Sequence, residues 1–213
     1  LAGEVMIEPK LDGVRTIAVI YATGNVMLYS RNGKEFENFP HIAKDLSKIA
    51  DTFRSHDTDT LVIDGEITGK SFQELMRGAT KKDHTATDSI FNVFDIMNLE
   101  DFKRGFSNTS QIDRLLALES VVNRVQMESV VMVKGKQINL DTEEAHKVMA
   151  QYANDCVAEG YEGIMIKKLD APYECRRSTF WMKWKPVITV DLEVIDIEEG
   201  TGRNAGRLGA LVC

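Results

Sequence analysis

The sequence predicts an α+β fold in which antiparallel sheets are flanked by helices. Short β-rich runs follow one another across turn sequences in the first thirty residues and again after residue 160. Helical periodicity is confined to a few segments, and strands and helices do not alternate regularly, which argues against a doubly wound parallel sheet. An apolar content of 43% is sufficient for a sizeable core.

The first β segments are marked by turn residues. The run VMIEPKLDGVRTIAVIY predicts a strand, a turn at Asp12-Gly13 and a second strand. A hairpin is expected around Gly24-Asn25, with NVMLYS as the third strand. Further on, TLVIDGEI predicts a strand that ends in a turn, and SIFNVFDIM predicts another apolar strand.

Three segments show helical spacing. Pro40 is a plausible first-turn residue for a helix through Phe53. In SQIDRLLALESVV the amphipathic pattern is carried by Ile112, Leu115, Leu116, Glu119 and Val122. Asp141 and Glu144 have the spacing of a capping box at the start of a third helix, which is expected to end near Gly160. The inward face of this helix is predicted to contain Ala145, Val148, Met149 and Tyr152.

The remaining sequence is again β-rich. YEGIMIKK, TFWMKWKP and DLEVIDIE predict strands, and the text after Pro186 becomes glycine-rich. We therefore expect one domain over residues 1–187 and the start of a second, truncated β domain over residues 188–213. The chain opens with Leu1, so we also expect it to be a piece of a longer protein.

Bulk properties narrow the class of protein. The chain has 213 residues, a formal net charge of −7 and three cysteines at no metal-binding spacing. Few and unpaired cysteines predict an intracellular protein, in the cytoplasm or nucleus and not secreted. No apolar run is long enough for a membrane span. The acidic balance argues against a dedicated nucleic-acid module, but not against an enzyme with a local basic cleft.

Lys10, within EPKLDGVR, is the candidate for covalent chemistry. A lysine amine is protonated at pH 7 and becomes a nucleophile only where cations, a metal or desolvation favour its neutral form. Arg15 is close in sequence, and the turn at Asp12-Gly13 lets a lysine at a strand end point into a cleft. Taken alone, a lysine beside a turn is better explained as a solvated charge.

Other segments place polar side chains at strand ends. Arg31 lies in SRNG, Glu66 in IDGE and Glu162 in EGIMIK, each within two residues of a glycine. Lys183 and Lys185 are two residues apart and so share a strand face, as a phosphate site requires. Taken singly, Arg31 and Glu66 are better explained as surface charges, and Phe94, Trp181 and Trp184 as packing residues. Their order along one chain favours a shared site.

Six segments together carry a resemblance to a known family: EPKLDGVR, SRNG, IDGE, VFD, EGIMIK and WMKWK. In this order they resemble the nucleotidyltransferase motifs of ATP-dependent DNA ligases, over essentially residues 4–186. The segment EEGTGRNAGRLGAL resembles the start of the OB-fold domain of that family. The resemblance implies an ATP-grasp-like nucleotidyltransferase domain followed by the start of an OB-fold barrel.

The resemblance also implies roles. Lys10 would attack the α-phosphate of ATP to form lysyl-AMP, and AMP would pass to the 5′-phosphate of nicked double-stranded DNA before the nick is sealed. Nucleotide-binding residues would be Glu8, at the adenine amino group, Phe94, stacked on the base, and Arg15, Arg31, Glu66, Lys167, Lys183 and Lys185. Glu66 and Glu162 are candidate ligands for Mg²⁺ or Mn²⁺.

Several alternatives stay open from the sequence. An mRNA-capping guanylyltransferase shares the lysine motif, whereas Glu8 and the segment after Pro186 favour a DNA ligase. Arg15 fits an RNA ligase less well, and an NAD-dependent ligase would differ around Arg15 and Arg31. A non-catalytic nucleotide-binding or DNA-clamping module would not need Lys10. The protein is expected to be a monomer that does not bind membranes.

Overall fold

The computed structural model describes residues 2–53, 60–70, 75, 87–186 and 190–213. Within them lie thirteen strands, five α-helices and a 3-10 turn at Gly202–Asn204. The strands are β1 (Glu4–Pro9), β2 (Val14–Tyr21), β3 (Val26–Ser30), β4 (Thr60–Thr68), β5 (Ile90–Asn98), β6 (Phe106–Ser107), β7 (Val130–Met132), β8 (Lys136–Asn139), β9 (Ile164–Lys168), β10 (Tyr173–Glu174), β11 (Trp181–Trp184), β12 (Asp196–Glu199) and β13 (Leu208–Val212). The helices are α1 (Pro40–Ser47), α2 (Ala50–Phe53), α3 (Leu99–Arg104), α4 (Gln111–Val122) and α5 (Glu143–Ala158).

A five-stranded sheet in the order β3-β2-β4-β5-β7 forms the larger layer. Its pairings are antiparallel except for β5 with β7, which is parallel. One face packs against α1 and α4 through Ile42, Leu46 and Leu118, each fully buried. The other face carries a smaller apolar cluster around Val62, Met97 and Tyr173. Burial on both faces explains why β2 is apolar along most of its length.

A four-stranded antiparallel sheet in the order β11-β9-β1-β8 forms the second layer. Helix α5 covers one face, with Ala145, Ala153 and Cys156 buried against Val5 and Ile7. The predicted inward face of this helix is confirmed, because Val148, Met149 and Tyr152 pack on the same cluster. Since β1 and β2 are consecutive, the turn at Asp12-Gly13 carries the chain from one sheet to the other.

Two predictions at the helix starts are wrong in detail. The cap of α5 is Thr142, whose hydroxyl accepts a hydrogen bond from Ala145 N at 3.2 Å, and not Asp141. Asp141 instead accepts a hydrogen bond from the backbone of Gly3 at 3.0 Å. The helix predicted after Pro40 is two helices, because the backbone closes a tight turn at Lys48 between α1 and α2.

Two further differences affect the site. Strand β4 runs through Asp64, Gly65 and Glu66 with only a register shift at Asp64-Gly65, so the expected turn is absent and Glu66 lies within a strand. In α4 the buried face contains Gln111 and Arg114 beside the apolar residues Leu115 and Leu118, whereas the predicted Leu116 is 56% exposed. The apolar pattern could not reveal a face that buries polar side chains.

The segment after Pro186 contains one antiparallel hairpin, β12 with β13. Its apolar side chains are exposed, including Ile195, Ile197 and Leu208. The proposed boundary at residue 187 falls outside the described residues, so the division into residues 1–187 and 188–213 stays a prediction, as does the start of an OB fold. Within the described ranges no helix has the length and apolarity needed to cross a membrane.

Candidate functional site

A cavity of about 530 Å³ is lined by residues of both sheets. Strands β1, β9 and β11 contribute from the four-stranded sheet, and β2, β4 and β5 from the five-stranded sheet. Eight of the ten residues predicted from the motifs line it: Glu8, Lys10, Arg15, Arg31, Glu66, Phe94, Lys167 and Lys183. The other two, Glu162 and Lys185, are connected to Lys10 by ion pairs. The cavity therefore brings together residues that are far apart in the sequence.

Lys10 lies directly after β1, where backbone hydrogen bonds fix it to the start of β9. Its N–H donates to the carbonyl of Gly163 at 2.8 Å, and its own carbonyl accepts from Glu162 N at 3.0 Å. The Lys10 amine is ion-paired with the Glu162 carboxylate, and the same carboxylate oxygen lies 2.8 Å from the amine of Lys185. Burial raises the pKa of Glu162, but hydrogen bonds from the two lysines outweigh it and lower the pKa below its usual value.

Glu8 and Lys167 form a buried ion pair in the wall of the cavity. Their side chains are 3% and 2% exposed, and the amine lies 2.6 Å from the carboxylate. Burial raises the pKa of Glu8, and the positive charge of Lys167 offsets part of that rise. The Lys167 amine also lies over two aromatic rings, 4.5 Å from the centroid of Phe94 and 4.4 Å from that of Trp181. Lys167 is thus integrated into the cavity wall, whereas Lys183 is exposed at its edge.

Arg15 is fixed by Asp64 from the neighbouring strand. Its Nε and Nη2 donate to the two carboxylate oxygens at 3.0 and 2.5 Å, and the Tyr173 hydroxyl donates to Asp64 at 2.7 Å. Burial lowers the pKa of Arg15, but the charge and hydrogen bonds of Asp64 outweigh it, so the net pKa is raised. Arg15 therefore presents a permanently charged guanidinium in a fixed position beside Phe94, 5.6 Å from the ring centroid.

Glu66 faces Arg15 across β2 and β4, as its strand partner. Burial raises the pKa of Glu66 to about 7, although the charges of Lys10 and Arg15 act in the opposite direction. Gly13 makes this arrangement possible, because a Cβ there would lie 2.3 Å from the carbonyl oxygen of Ile67 and 3.0 Å from Cγ of Glu66. The turn that links the sheets thus passes close against the strand that carries Glu66.

Arg31 marks the outer edge of the cavity. It follows β3 in a tight turn in which Gly33, with φ of 76°, donates to the Ser30 carbonyl at 2.9 Å. A second cavity of about 470 Å³ adjoins here, since Arg15, Arg31 and Lys183 line both. Arg176 and Arg177 line the second cavity as well. The surface beside the main cavity is therefore rich in cations.

Several residues of the site were missed by reasoning from the sequence. Asp64 and Tyr173 position Arg15, and Trp181, expected only to pack, lines both cavities. Behind Trp181 lies the fully buried pair Asp95–Arg114. The dipeptide Asp64-Gly65 predicts a turn, and a carboxylate in a turn is expected to be solvated, so Asp64 did not appear as a site residue. Alternation along a strand recognised as continuous could have found Asp64.

Within the described residues, no group of three or more His, Cys, Asp or Glu side chains is arranged to hold a metal. Mg²⁺, however, is commonly bound through one or two carboxylates together with substrate phosphates. Glu66 and Glu162 supply such oxygens near Lys10, and Glu162 is close enough to raise the pKa of Glu66. The donor set thus fits a metal that arrives with a phosphate-bearing ligand, not a resident ion.

Comparison with known proteins gives consistent results. A sequence model of the ATP dependent DNA ligase domain matches residues 1–185. A probable DNA ligase of Rhodococcus opacus is 32% identical over 217 residues, which cover 99% of this chain and 40% of that protein. A probable DNA ligase of Kineococcus radiotolerans is 30% identical, with 97% and 39% covered. The chain thus spans about two-fifths of the length of these curated relatives.

Among solved structures, Pmar-Lig_PreS3 superposes with a TM-score of 0.91 at 38% identity, covering 99% of this chain and 49% of that one. The ATP-dependent DNA ligase from bacteriophage T7, in complex with ATP, has a TM-score of 0.62 at 19% identity and shares the fold, with 99% and 74% covered. The predicted α+β nucleotidyltransferase fold is confirmed. With the sequence model matched along most of its length, the chain belongs to the family of ATP-dependent DNA ligase domains.

Proposed function

We propose that this chain is the adenylylating part of an ATP-dependent DNA ligase. The observation that carries the proposal is the position of Lys10, whose amine lies in one cavity with a half-buried aromatic ring, a fixed guanidinium and further cations. Such a site suits phosphoryl transfer, which needs alignment and cations around the developing charge and little covalent work from the protein. The same set of groups has no evident use in a protein that only binds DNA.

In the proposed reaction the neutral amine of Lys10 attacks the α-phosphorus of ATP. A P–N bond forms, the bond from that phosphorus to the bridging oxygen breaks, pyrophosphate leaves, and the nitrogen loses one proton to solvent. In the free protein the Lys10 amine is ion-paired with Glu162, so binding of ATP has to release Lys10 from this carboxylate.

The remaining predicted residues are assigned to the nucleotide. Phe94 stacks on the base, while Arg15, Arg31 and Glu66 hold the ribose and phosphates. Lys183 and Lys185 neutralise phosphate charge, and the buried Lys167 adds positive potential from the wall. Mg²⁺ or Mn²⁺, held by Glu66 and Glu162, would neutralise charge on the triphosphate.

Glu8 favours ATP over GTP. Its carboxylate accepts hydrogen bonds and is paired with the amine of Lys167, whose charge offsets part of the pKa rise that burial causes. Adenine offers an amino group where guanine has a carbonyl oxygen, which a carboxylate would repel. A guanylyltransferase is therefore the weaker alternative, and competition between ATP and GTP for Lys10 distinguishes the two.

Nicked double-stranded DNA is the proposed partner, and AMP is passed from Lys10 to its 5′-phosphate. Arg176 and Arg177, exposed beside Arg31 and Lys183, offer cations for DNA phosphates next to the nucleotide. This local charge reconciles a net charge of −7 with a nucleic-acid substrate. A monomeric, intracellular protein that does not bind membranes remains the prediction.

The test is self-adenylylation with ATP labelled at the α-phosphate and a divalent metal. We expect an acid-labile AMP adduct on the intact chain that Lys10→Ala abolishes. Lys168→Ala is the matched control, because Lys168 lies on β9, pairs with Asp170 and does not line the cavity. Tight ATP binding without an adduct would instead support a non-catalytic nucleotide-binding module. Nick sealing is then measured with the full-length protein.

A further inference from the structure

Trp181 contacts several other side chains in the wall of the main cavity. Its ring meets Phe94 edge-on, with centroids 5.9 Å apart, and Tyr173 with centroids 5.7 Å apart. Two cations lie over the same indole, Lys167 at 4.4 Å and Arg15 at 5.6 Å from the centroid. A rotation of this indole would therefore change its contacts with both cations and with the ring proposed to stack on the base.

The indole nitrogen of Trp181 is hydrogen-bonded to Gln111. Trp181 Nε1 donates to Gln111 Oε1 at 2.7 Å, a short and strong geometry for such a bond. The N–H is the only polar atom of the ring, and buried indoles require a partner for it. This hydrogen bond consequently selects one orientation of the indole from those that packing would permit.

Gln111 is itself held rigidly. It is fully buried although it is the first residue of α4, a place where glutamine is ordinarily solvated. Its Oε1 also accepts from Arg114 Nη2 at 3.0 Å, and its Nε2 donates to Asp95 at 3.0 Å. Two donors facing the oxygen and a carboxylate facing the nitrogen fix which way the amide points. The amide cannot turn away from Trp181 without breaking the network.

The network behind Gln111 is anchored to β5 and to the segment that follows β9. Arg114 binds Asp95 on β5 through two hydrogen bonds of 2.7 and 3.1 Å and donates to the carbonyl of Ala171, beyond β9, at 3.3 Å. Buried polar networks are rigid when every member is satisfied. Gln111 is the member of the network that is hydrogen-bonded to a residue lining the cavity, Trp181.

We propose that Gln111 is a positioning residue for the nucleotide: it fixes the Trp181 indole, against which Phe94, Lys167 and Arg15 pack, in the orientation that binds ATP. The inference rests on the proposed function, since it takes ATP as the ligand of the cavity. Because Gln111 acts through the wall and does not contact Lys10, it governs ATP affinity more than the rate of the chemical step.

The experiment compares the unmodified 213-residue chain with Gln111→Met, Trp181→Phe and the double variant. Methionine has a similar length to glutamine but no amide, and Phe keeps a ring but loses the N–H. We expect each single variant to raise the Kd for ATP about fivefold, as loss of the Trp181–Gln111 hydrogen bond that both remove predicts, with self-adenylylation at saturating ATP within about twofold of normal. The double variant should be no worse than the single variants, because both remove the same bond.

A stability control separates positioning from general damage. Asp45→Asn replaces a carboxylate with an amide and so weakens its hydrogen bonds. The partners in these bonds, Lys48, Glu128 and Ser129, do not line the cavity. The substitution should lower the Tm while leaving the ATP Kd unchanged. In a Trp184→Phe background, Trp181 is the single tryptophan, and its fluorescence anisotropy should fall in Gln111→Met.

The outcomes are distinguishable. If the unmodified chain does not bind ATP, the proposed function and this inference both fail. If it binds ATP and Gln111→Met has an unchanged Kd, only the inference is overturned. If the fold-increases in ATP Kd of the two single variants multiply in the double variant, the inference is likewise overturned. Should Gln111→Met not fold, an unchanged Kd in Trp181→Phe, which leaves the buried network intact, overturns the inference by itself.

Discussion

Asp64 shows how a single carboxylate controls the geometry of the site. It is fully buried and accepts hydrogen bonds from Arg15 and Tyr173. A buried carboxylate persists when its charge is matched and its oxygens are hydrogen-bonded. Arginine cannot release its proton, so the Arg15 guanidinium stays positively charged at the cavity wall at every pH at which the protein folds.

The first prediction is that Asp64→Asn destabilises the protein by about 2 kcal/mol, at the low end for a broken buried pair because Arg15 is 35% exposed. Tyr173→Phe removes one hydroxyl from the same carboxylate and should cost about 1 kcal/mol. Urea unfolding at pH 7 measures both. Equal losses from the two variants would contradict the central role of the ion pair.

At the scale of elements, the junction between β1, β9 and β11 depends on Gly163. Its φ is +138°, and a Cβ there would lie 2.1 Å from the carbonyl oxygen of Trp184. Its own carbonyl accepts from the backbone of Lys10. The sharp change of direction at Gly163 brings Glu162 back to Lys10, although a regular strand would have turned it away.

The second prediction concerns this junction. Gly163→Ala should lower the free energy of unfolding by about 3 kcal/mol, because both the backbone angle and the space exclude a methyl group. It should also slow self-adenylylation, since Lys10 and Glu162 shift together. Gly160→Ala is the matched control: φ is +92° but the space is open, so a loss of about 1 kcal/mol is expected without an effect on adenylylation. Similar stabilities of the two variants would count against this account.

Asp45 ties α1 to the start of β7. Burial raises its pKa, but hydrogen bonds from Lys48, Ser129 and Glu128 outweigh it and hold the pKa far below the usual 3.8. A carboxyl group whose pKa is lower in the folded protein than in the unfolded chain stabilises the folded state. That stabilisation is fully present at pH values above the pKa of the unfolded chain. That contribution is lost as the pH falls from about 4 towards the folded pKa.

The third prediction follows from the lowered pKa of Asp45. At pH 7, Asp45→Asn should be less stable than the unmodified chain by about 2 kcal/mol, the worth of charged hydrogen bonds. The difference should narrow as the pH is lowered from 4 to 2. Urea unfolding at pH 7, 5, 4 and 3 measures it. A difference that stays constant across this range would show that the charge of Asp45 is not the cause.

The elements also show what the sequence could predict. Turn residues and alternation located β1, β2 and β3, and the apolar spacing of α5 gave its buried face. The polar face of α4 was not predictable, because burial of Gln111 and Arg114 depends on Asp95 and Trp181, which no local pattern connects to them. Asp64-Gly65 was misread as a turn since β4 tolerates the pair at a register shift within the sheet.

For the molecule as a whole, the cavity depends on two sheets with separate cores. Lys10 and Lys183 belong to the four-stranded side, and Arg15, Glu66 and Phe94 to the five-stranded side. Motif order identified these residues, but their ion pairs join positions up to 159 residues apart, such as Glu8 with Lys167, and pairing at that range leaves no signal in one sequence. A ligand in the cavity would contact both layers and so couple their stabilities.

The last prediction is that ATP stabilises the whole described domain. A ligand that binds only the folded state at 100 times its Kd adds about 2.7 kcal/mol, or roughly 5–10 °C in Tm for a chain of this size. With Mg²⁺ present, the unmodified chain should keep part of this gain after free nucleotide is removed by gel filtration, because AMP stays bound to Lys10. Lys10→Ala should gain stability with ATP but return to its starting Tm after filtration. A Tm that does not respond to millimolar ATP would contradict a nucleotide site between the sheets, and a retained gain in Lys10→Ala would place the adduct on another residue.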